Sequence, residues 1–389
     1  FNVERSNTGP VQITVRSSLD GYTNDIGSPT IGGSGVITQS TVDLSGVNYQ
    51  NINSAITFRV YAWGGTNTNG TLSINDFIFN GAVNVIQCPL TTTWDGINWS
   101  VTPSSSTAAI INGDLNTSTD GSFSACSLTI NSGTLIIGNG DYVEVENDVF
   151  VANAGGINVS SQGAFVQKNE NSTFTNNSSN GVTLTKTKVM QNWYHYTYWS
   201  SPMVAESLEN VLGVTPLDRR FRYEASNFVD LLSEIDNTGT FNPGPDDIDD
   251  NGDDWQLMPS GNMIPGIGYA TTASTIVGPG GYPNAQSFVF TGSFNNGTIN
   301  VPLVNSSGGV YNDWNFIGNP YPGAISVDDF FAVNTGLVDV IYLWDQATPP
   351  SITASGNEGS NFSSDDYAII NGTGQIGARG DTGIEPERY

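Results

Sequence analysis

The sequence predicts an all-β protein in three parts. Residues 1–90 read as a partial, jelly-roll-like β-sandwich, 91–185 as a short β-solenoid-like segment, and 186–389 as a mostly β module with two short helices and an internal pseudo-repeat. Three observations carry this expectation. Hydrophobic residues make up 37% of the chain while Gly, Asn, Ser and Thr abound, a mixture suited to short strands and tight turns that need left-handed backbone. Long helical periodicity is almost absent. Strand-sized apolar alternations recur along the chain and end at Gly or Asn.

The first part holds candidate strands "VQITVR", "GVITQSTVDL", "AITFRVYAW" and "TLSINDFIFNG". The Thr/Ser/Pro-rich "CPLTTTWDGINWSVTPSSSTAA" then links to a different pattern. From 108 to 170 come "SLTINSG", "TLIIGNG", "DYVEVEND", "VFVANAGG", "INVSSQG" and "AFVQ", apolar pairs spaced roughly 7 to 10 residues apart with Gly steps between them. Such spacing suits a stack of rungs, each burying its inner face on the next. Meander strands of a sandwich are the other reading.

After the polar, turn-rich "NENSTFTNNSSNG", two halves echo each other. "HYTYWSSPMVAESLENVLG" and "DWNFIGNPYPGAISVDDFFAVN" each take an aromatic strand through a Ser-Pro or Asn-Pro turn into a short amphipathic helix, with Pro202 and Pro320 at equivalent points. Ser326 and Asp329 have the spacing of a capping box. A second aromatic strand follows each helix, then a loop ending Asp253-Asp254-Trp255 in one half and Asp365-Asp366-Tyr367 in the other. The first half continues into "MIPGIGYA", whose counterpart is expected just beyond Tyr389, so the last domain reads as incomplete.

Net charge is −26, from 11 Lys plus Arg against 37 Asp plus Glu. That field repels phosphate backbones and anionic lipid, which argues against nucleic acid as a partner and favours divalent cations. No run of 18 apolar residues is present, so membrane insertion by a helix is not expected. The opening "FNVERSNTGP" carries no signal-peptide pattern and reads as a mature form or an excerpt. Cys88 and Cys126 lack metal-site spacing, leaving one disulfide or two buried thiols.

"YTYWSSP", "MIPGIGYA", "FTGSFNNGTI" and "NFIGNPYPGAI" resemble a module of large Bacteroidota cell-surface proteins exported by the type IX secretion system. "TTTWDGINWS" with the Gly-stepped strands after it resembles the solenoid-like segment that precedes that module. "RSNTGPVQITVRSSLDGY" with "FRVYAWGGTNTNGTLSINDFIFNG" resembles the later half of a sandwich domain. The resemblance implies an extracellular, surface-displayed adhesin-like protein, and it supplies no catalytic residues.

The densest candidate site is "PDDIDDNGDDW". Asp247, Asp249 and Asn251 alternate ahead of Gly252 like the start of a calcium loop, with Asp253 or Asp254 closing it. Met258 stands where an EF-hand would place its bidentate Glu, so the expected ligand is Ca2+ at an extracellular-type site of about 10⁻⁴–10⁻³ M. A solvated acidic turn and, more remotely, a catalytic site are the other readings. Without a cation such carboxylates raise one another's pKa.

Against catalysis, the single histidine, His195, lies among aromatics in "WYHYTYW" and reads as packed. No serine has nucleophile-elbow glycines around it. Glu206 and Glu209 read as solvent-facing helix charges, and Arg219, Arg220 and Arg222 as partners of nearby acids. Trp63, Trp94, Trp99, Trp199, Trp255 and Trp344 are the candidates for sugar stacking, with Trp199 and Trp344 expected inside and Trp255 the best exposed candidate.

Two functions follow as expectations. One is a non-enzymatic, surface-displayed adhesion or fibre- or hook-like appendage protein, part of a larger secreted polypeptide, with cell-surface glycans or other cells as partners and homo-oligomers or repeat assembly within reach. The other is a carbohydrate-binding accessory region of a large secreted polysaccharide-processing enzyme.

Overall fold

The computed structural model describes residues 1–49, 55–80, 88–234, 241–274, 280–305, 313–354, 356, 358–371 and 374–380. The sequence expectations at Gly81 and at 381–389 lie outside them. The chain divides into two compact units, Phe1–Gln87 and Cys88–Tyr389.

The first unit holds β1 (Asn2–Arg5), β2 (Gln12–Ser17), β3 (Thr38–Gln39), β4 (Phe58–Trp63) and β5 (Leu72–Asn75). One sheet runs β3-β1-β5 and the other is the antiparallel pair β2-β4. Alternation decides which side chains turn inward: Val3, Ile13 and Val15 are buried, whereas Gln12 and Tyr61 are exposed. Of the expected strand "GVITQSTVDL" only Thr38–Gln39 forms, because only those residues find a partner, opposite Val3 and Asn2.

The second unit begins with the solenoid. Its strands are β6 (Leu90–Trp94), β7 (Thr107–Asn112), β8 (Leu115–Asn116), β9 (Phe123–Ala125), β10 (Ser127–Ile137), β11 (Tyr142–Val145), β12 (Val149–Val159), β13 (Ala164–Gln167), β14 (Phe174–Asn176) and β15 (Val182–Met190). They wind through about 5 turns. One wall is the parallel run β6-β7-β10-β12-β15 and the other is β9-β11-β13. Register partners Phe123, Val143 and Phe165 show that a coil takes about twenty residues. The shorter spacing visible in the sequence therefore measures the sides of a coil, and adjoining pairs such as "SLTINSG" and "TLIIGNG" fuse into one long strand, β10.

Stacking puts like on like. Ile111, Ile130 and Val151 are register partners with no exposure, and so are Leu135, Ile157 and Val182. Each such side chain contributes about 1.5–3 kcal/mol relative to exposure. Asn131 donates to Asn112 at 2.9 Å and Asn169 to Asn147 at 3.1 Å, so corner amides satisfy each other between coils. At one corner Gly133 has φ 78°, and a Cβ there would lie 2.3 Å from the carbonyl carbon of Gly113. The one-turn helix α1 (Thr117–Asp120) fills another corner, capped by Asn116.

The expected boundary at 185/186 falls inside β15, and the sheet runs across it. The strands beyond are β16 (Thr197–Trp199), β17 (Arg220–Tyr223), β18 (Leu232–Glu234), β19 (Phe241–Pro243), β20 (Trp255–Leu257), β21 (Tyr269–Thr271), β22 (Asn284–Thr291), β23 (Val340–Trp344), β24 (Tyr367–Asn371) and β25 (Gly374–Ile376). β22 pairs antiparallel with the whole of β15, from Thr183–Thr291 to Met190–Asn284. Its inward Phe288 and Phe290, with Trp199, Met203 and Leu208, extend the solenoid core as one cluster reaching Phe294. Phe294 packs against Phe165 and Phe174, each at 5.2 Å between centroids, which closes the open end of the coil.

The pseudo-repeat is visible as register. Trp255 opens β20 opposite Tyr223 of β17, and Tyr367 opens β24 opposite Trp344 of β23. The two expected helices are α2 (Leu208–Val211) and α3 (Val327–Val333), and Ser207 and Ser326 accept from the amides of Asn210 and Asp329. The Asn295 side chain donates to Ser201 O at 3.0 Å and to Pro320 O at 2.8 Å, so one buried amide ties the two equivalent turns together.

Two measurements check this account. Gly133→Ala is expected to lower stability by more than about 2 kcal/mol in urea unfolding, since it adds a backbone clash to a left-handed position. Asn295→Ala leaves two buried carbonyls unpaired and is expected to cost about 1–3 kcal/mol per carbonyl. A loss under half a kilocalorie in either variant, on the order of an ordinary surface change, contradicts the packing described.

Candidate functional site

The acidic stretch 246–254 lies between β19 and β20, and main-chain amides organise it. Asp249 accepts from Val229 N at 2.8 Å and from Asp253 N at 3.0 Å. Asn251 accepts from the same Asp253 amide at 3.0 Å, and Asp254 from Trp255 N at 2.8 Å. Asp247, at φ 72°, accepts from the indole of Trp314 in the other half of the repeat. Gly252, at φ 68°, supplies the sharp turn.

Two aspartates outside the expected ligand set complete the arrangement. Asp230, fully buried, accepts from Asp246 N at 3.0 Å and Asp247 N at 2.9 Å. Asp250 accepts from the amides of Leu231 and Leu232, both at 3.1 Å. The sequence signal for Asp230 was a lone carboxylate inside the apolar run "NFVDLL".

Of the five expected calcium ligands, Asp249, Asn251 and Asp253 meet around one amide, Asp254 lies beside Asp249, and Asp247 turns to Trp314. Their mapped contacts are with N–H donors. Among the described residues no group of three or more His, Cys, Asp or Glu is arranged to hold a metal ion. Crowding still shows: burial, then the neighbouring Asp249, pushes Asp254 up to about 7, and burial raises Asp247 against the Trp314 hydrogen bond.

The remaining candidates resolve one by one. His195 is buried, and its Nδ1 accepts from Gln191 N at 3.2 Å. Desolvation, helped by Lys188, holds its pKa down at about 4, so the ring is neutral. Glu206 corrects the sequence reading: it is buried ahead of α2, accepting from Ser207 N at 2.8 Å and Thr291 N at 2.6 Å, because α2 packs against β22. Glu209 is exposed as expected and receives the Gly261 amide at 3.2 Å.

Arg219 and Arg222 face Asp218 and Glu224. Arg220 departs from that pattern: it is buried, and its guanidinium donates to Thr215 O at 2.9 Å and Pro259 O at 2.8 Å, closing the loop after α2. Trp94 and Trp199 are buried. Trp99 packs on Trp94 at the first coil. Trp255, the expected platform, instead packs among Tyr198, Tyr223 and Phe316, and Trp344 stacks on Tyr198. Trp63 alone of the six is strongly exposed, at 47%. Cys88 and Cys126 form a disulfide, Cα–Cα 5.6 Å, at the start of the solenoid.

Two grooves accompany these features. One, of about 300 Å³, lies where Lys168, Glu170, Asn296 and Tyr321 meet, and Lys168 is held there by Glu144 and Glu146. The other, of about 510 Å³, is a hydroxyl and amide groove along the outer solenoid wall at Asn158, Ser161, Thr183 and Thr187.

The family model of a domain of unknown function, DUF8693, matches residues 85–386. No curated protein and no solved structure matches the chain.

Two experiments test this site. Asp249→Ala is expected to lower Tm even in chelator, because the amides of Val229 and Asp253 lose their acceptor; a calcium-dependent rise in the parent that the variant loses gives the loop to the ion, and no such rise leaves it to the amides. His195 and Asp254 oppose each other in pH. The His195 pKa is depressed from 6.5 to about 4, so its contribution is lost as pH falls through that window. The Asp254 pKa is raised from 3.8 to about 7, so the fold gains as pH falls across that range and carries a constant penalty above it. Asp254→Asn is therefore expected to raise Tm at pH 8 and to steepen the acid-side loss, whereas His195→Asn flattens that loss. Melting curves from pH 4 to 8 decide it, and parallel curves for both variants and the parent refute the assignment.

Proposed function

The chain belongs to the DUF8693 family, and we propose that it is a non-enzymatic attachment or appendage segment displayed on a cell surface. The observation that carries this reading is the filled solenoid, whose inward positions are stacked Ile, Leu, Val and Phe and whose last strand continues into the capping module. Such a stack holds its shape by backbone ladders and buried rungs, and it leaves its outer faces free to vary. Dense burial of this kind suits a spacer or scaffold.

Other features support an extracellular setting. A disulfide persists in oxidising compartments, and this one staples the first coil. The strongly acidic chain is a poor partner for nucleic acid and for anionic lipid. No helix of the described residues is long and apolar enough to cross a membrane. The motif resemblance to type IX-secreted Bacteroidota surface proteins points the same way, toward cell-surface glycans or other cells as partners and toward assembly of repeated copies. Calcium at the 246–254 loop is proposed from the sequence spacing alone, and the melting comparison above decides it.

A second reading, a carbohydrate-binding accessory region of a polysaccharide-processing enzyme, is favoured by the exposed Tyr61 and Trp63. The test of the main reading is adhesion. Beads coated with the chain are expected to be retained on bacterial cells several-fold above beads coated with the heat-unfolded chain. Equal retention removes the attachment reading. Reduction supplies a companion check: with the cysteines 38 positions apart in sequence, loss of the disulfide is expected to cost about 4 kcal/mol by chain-entropy reasoning. A stability unchanged by Cys88→Ser with Cys126→Ser removes the staple from the argument.

A further inference from the structure

The outer face of the first unit's β2-β4 pair gathers side chains that the fold itself does not need there. Along β4, Phe58 and Val60 are half-buried, while Arg59, Tyr61 and Trp63 point the other way and are exposed. Tyr61 is 38% and Trp63 47% exposed. Register sets Gln12 opposite Trp63 and Arg16 opposite Arg59. Alternate residues on one strand face have Cα atoms about 7 Å apart, a spacing that suits neighbouring units of one extended ligand.

The cations are arranged around the rings. The Arg16 guanidinium lies 5.2 Å from the Tyr61 centroid, fixed by Asp25 at 2.7 Å and by Tyr22 O at 3.1 Å. Arg59 lies 3.7 Å over the Tyr22 ring and makes no ion pair among the described residues. Stacking on Tyr22 orients the planar fork and leaves its edge donors to solvent. In a chain with 11 basic and 37 acidic residues, an exposed guanidinium that makes no ion pair among the described residues and lies beside exposed aromatics is an unusual use of charge.

The first unit is far closer to charge balance than the rest of the chain, which lessens the repulsion that an anionic ligand meets. The first unit carries Arg5, Arg16 and Arg59 against Glu4, Asp20, Asp25, Asp43 and Asp76, so most of the net charge of −26 belongs to the rest of the chain. At physiological salt, charges beyond about 8 Å are largely screened, and the nearest guanidinium dominates what a bound carboxylate feels. Arginine's fork matches a carboxylate with two parallel hydrogen bonds. Tyr and Trp present broad apolar faces with a polar edge, the shape that the C–H-rich face of a pyranose covers.

We propose that Arg59, Tyr61 and Trp63 form a binding platform for a carboxylated polysaccharide. Tyr61 and Trp63 stack on successive sugar faces and Arg59 pairs with a uronate carboxylate. This deepens the attachment reading by naming the ligand class, and it rests on that reading for its purpose.

The test is affinity electrophoresis of the full chain through gels containing polygalacturonate or, separately, a neutral glucan. The expected result is retardation by the polyuronate alone, weakened tenfold or more by Trp63→Ala and similarly by Arg59→Gln, and falling with added salt. Tm of Trp63→Ala is expected to match the parent, since the side chain is exposed, and that of Arg59→Gln to fall only slightly through the lost stack on Tyr22. No retardation by polyuronate, equal retardation by the neutral glucan, or polyuronate binding unchanged in either variant overturns the proposal. Beads that still adhere to cells while the chain ignores polyuronate overturn the platform and leave attachment standing. Polyuronate binding without bead adhesion does the reverse.

Discussion

The described part of the second unit depends on one strand having two partners of opposite sense. The first residues of β15 are the last parallel rung of the solenoid, with Val182 and Leu184 opposite Ile157 and Val159. The same strand then offers its other edge, over its whole length, to the antiparallel β22. A parallel stack left open exposes a row of unpaired main-chain groups and a cross-section of apolar side chains. β22 removes the first problem by pairing, and Phe294 with its aromatic neighbours removes the second by filling. Solenoid and aromatic module are thus coupled through a shared sheet and a shared core.

That coupling explains where polar groups are buried. Glu206 sits at the end of β22 because its carboxylate takes the Thr291 amide where that strand finishes, and it organises the entry to α2 with its other oxygen. Asn295, four residues past Thr291, reaches both repeat turns. The two Asp-Asp-aromatic steps show how one framework position acquires different chemistry. Asp366 is fully buried but meets Arg379 at 3.0 Å and Thr348. Asp254 takes the Trp255 amide and lies against Asp249 with no ion pair to a basic side chain among the described residues, and its pKa rises accordingly. The repeat supplies the backbone, and the surrounding loop sets the electrostatics.

Strand class, the solenoid and the repeat were legible because each writes a period into the sequence. The coil length was not, since a solenoid side and a whole coil both present as short apolar pairs between Gly steps, and only register separates them. "GVITQSTVDL" alternates as a strand should, yet a strand also needs an edge to join, and only Thr38–Gln39 found one. At the acidic loop the residues were legible and their partners were not. The spacing of oxygen acceptors does not say that Val229 and Leu231, distant in sequence, bring their N–H groups to the same place. Trp255 likewise looked exposed beside six carboxylates, but Phe316 from the other half covers it.

Charge use links the fold to recognition. Lys168 holds Glu144 and Glu146, Lys186 closes a loop through Ser161 O, Arg220 gathers carbonyls after α2, and Arg379 neutralises Asp345 and Asp366. Arg5 likewise donates to the carbonyl of Gly32. In a chain so poor in cations, nearly every mapped one closes a loop or offsets an acid, and the outer surface is left to carboxylates, amides and hydroxyls. A surface of that kind resists nonspecific adsorption to polyanions by repulsion. Selective capture of a polyanion then requires a place where the repulsion is locally reversed and an apolar contact is added, and the β2-β4 face is where a stacked guanidinium and two exposed rings coincide.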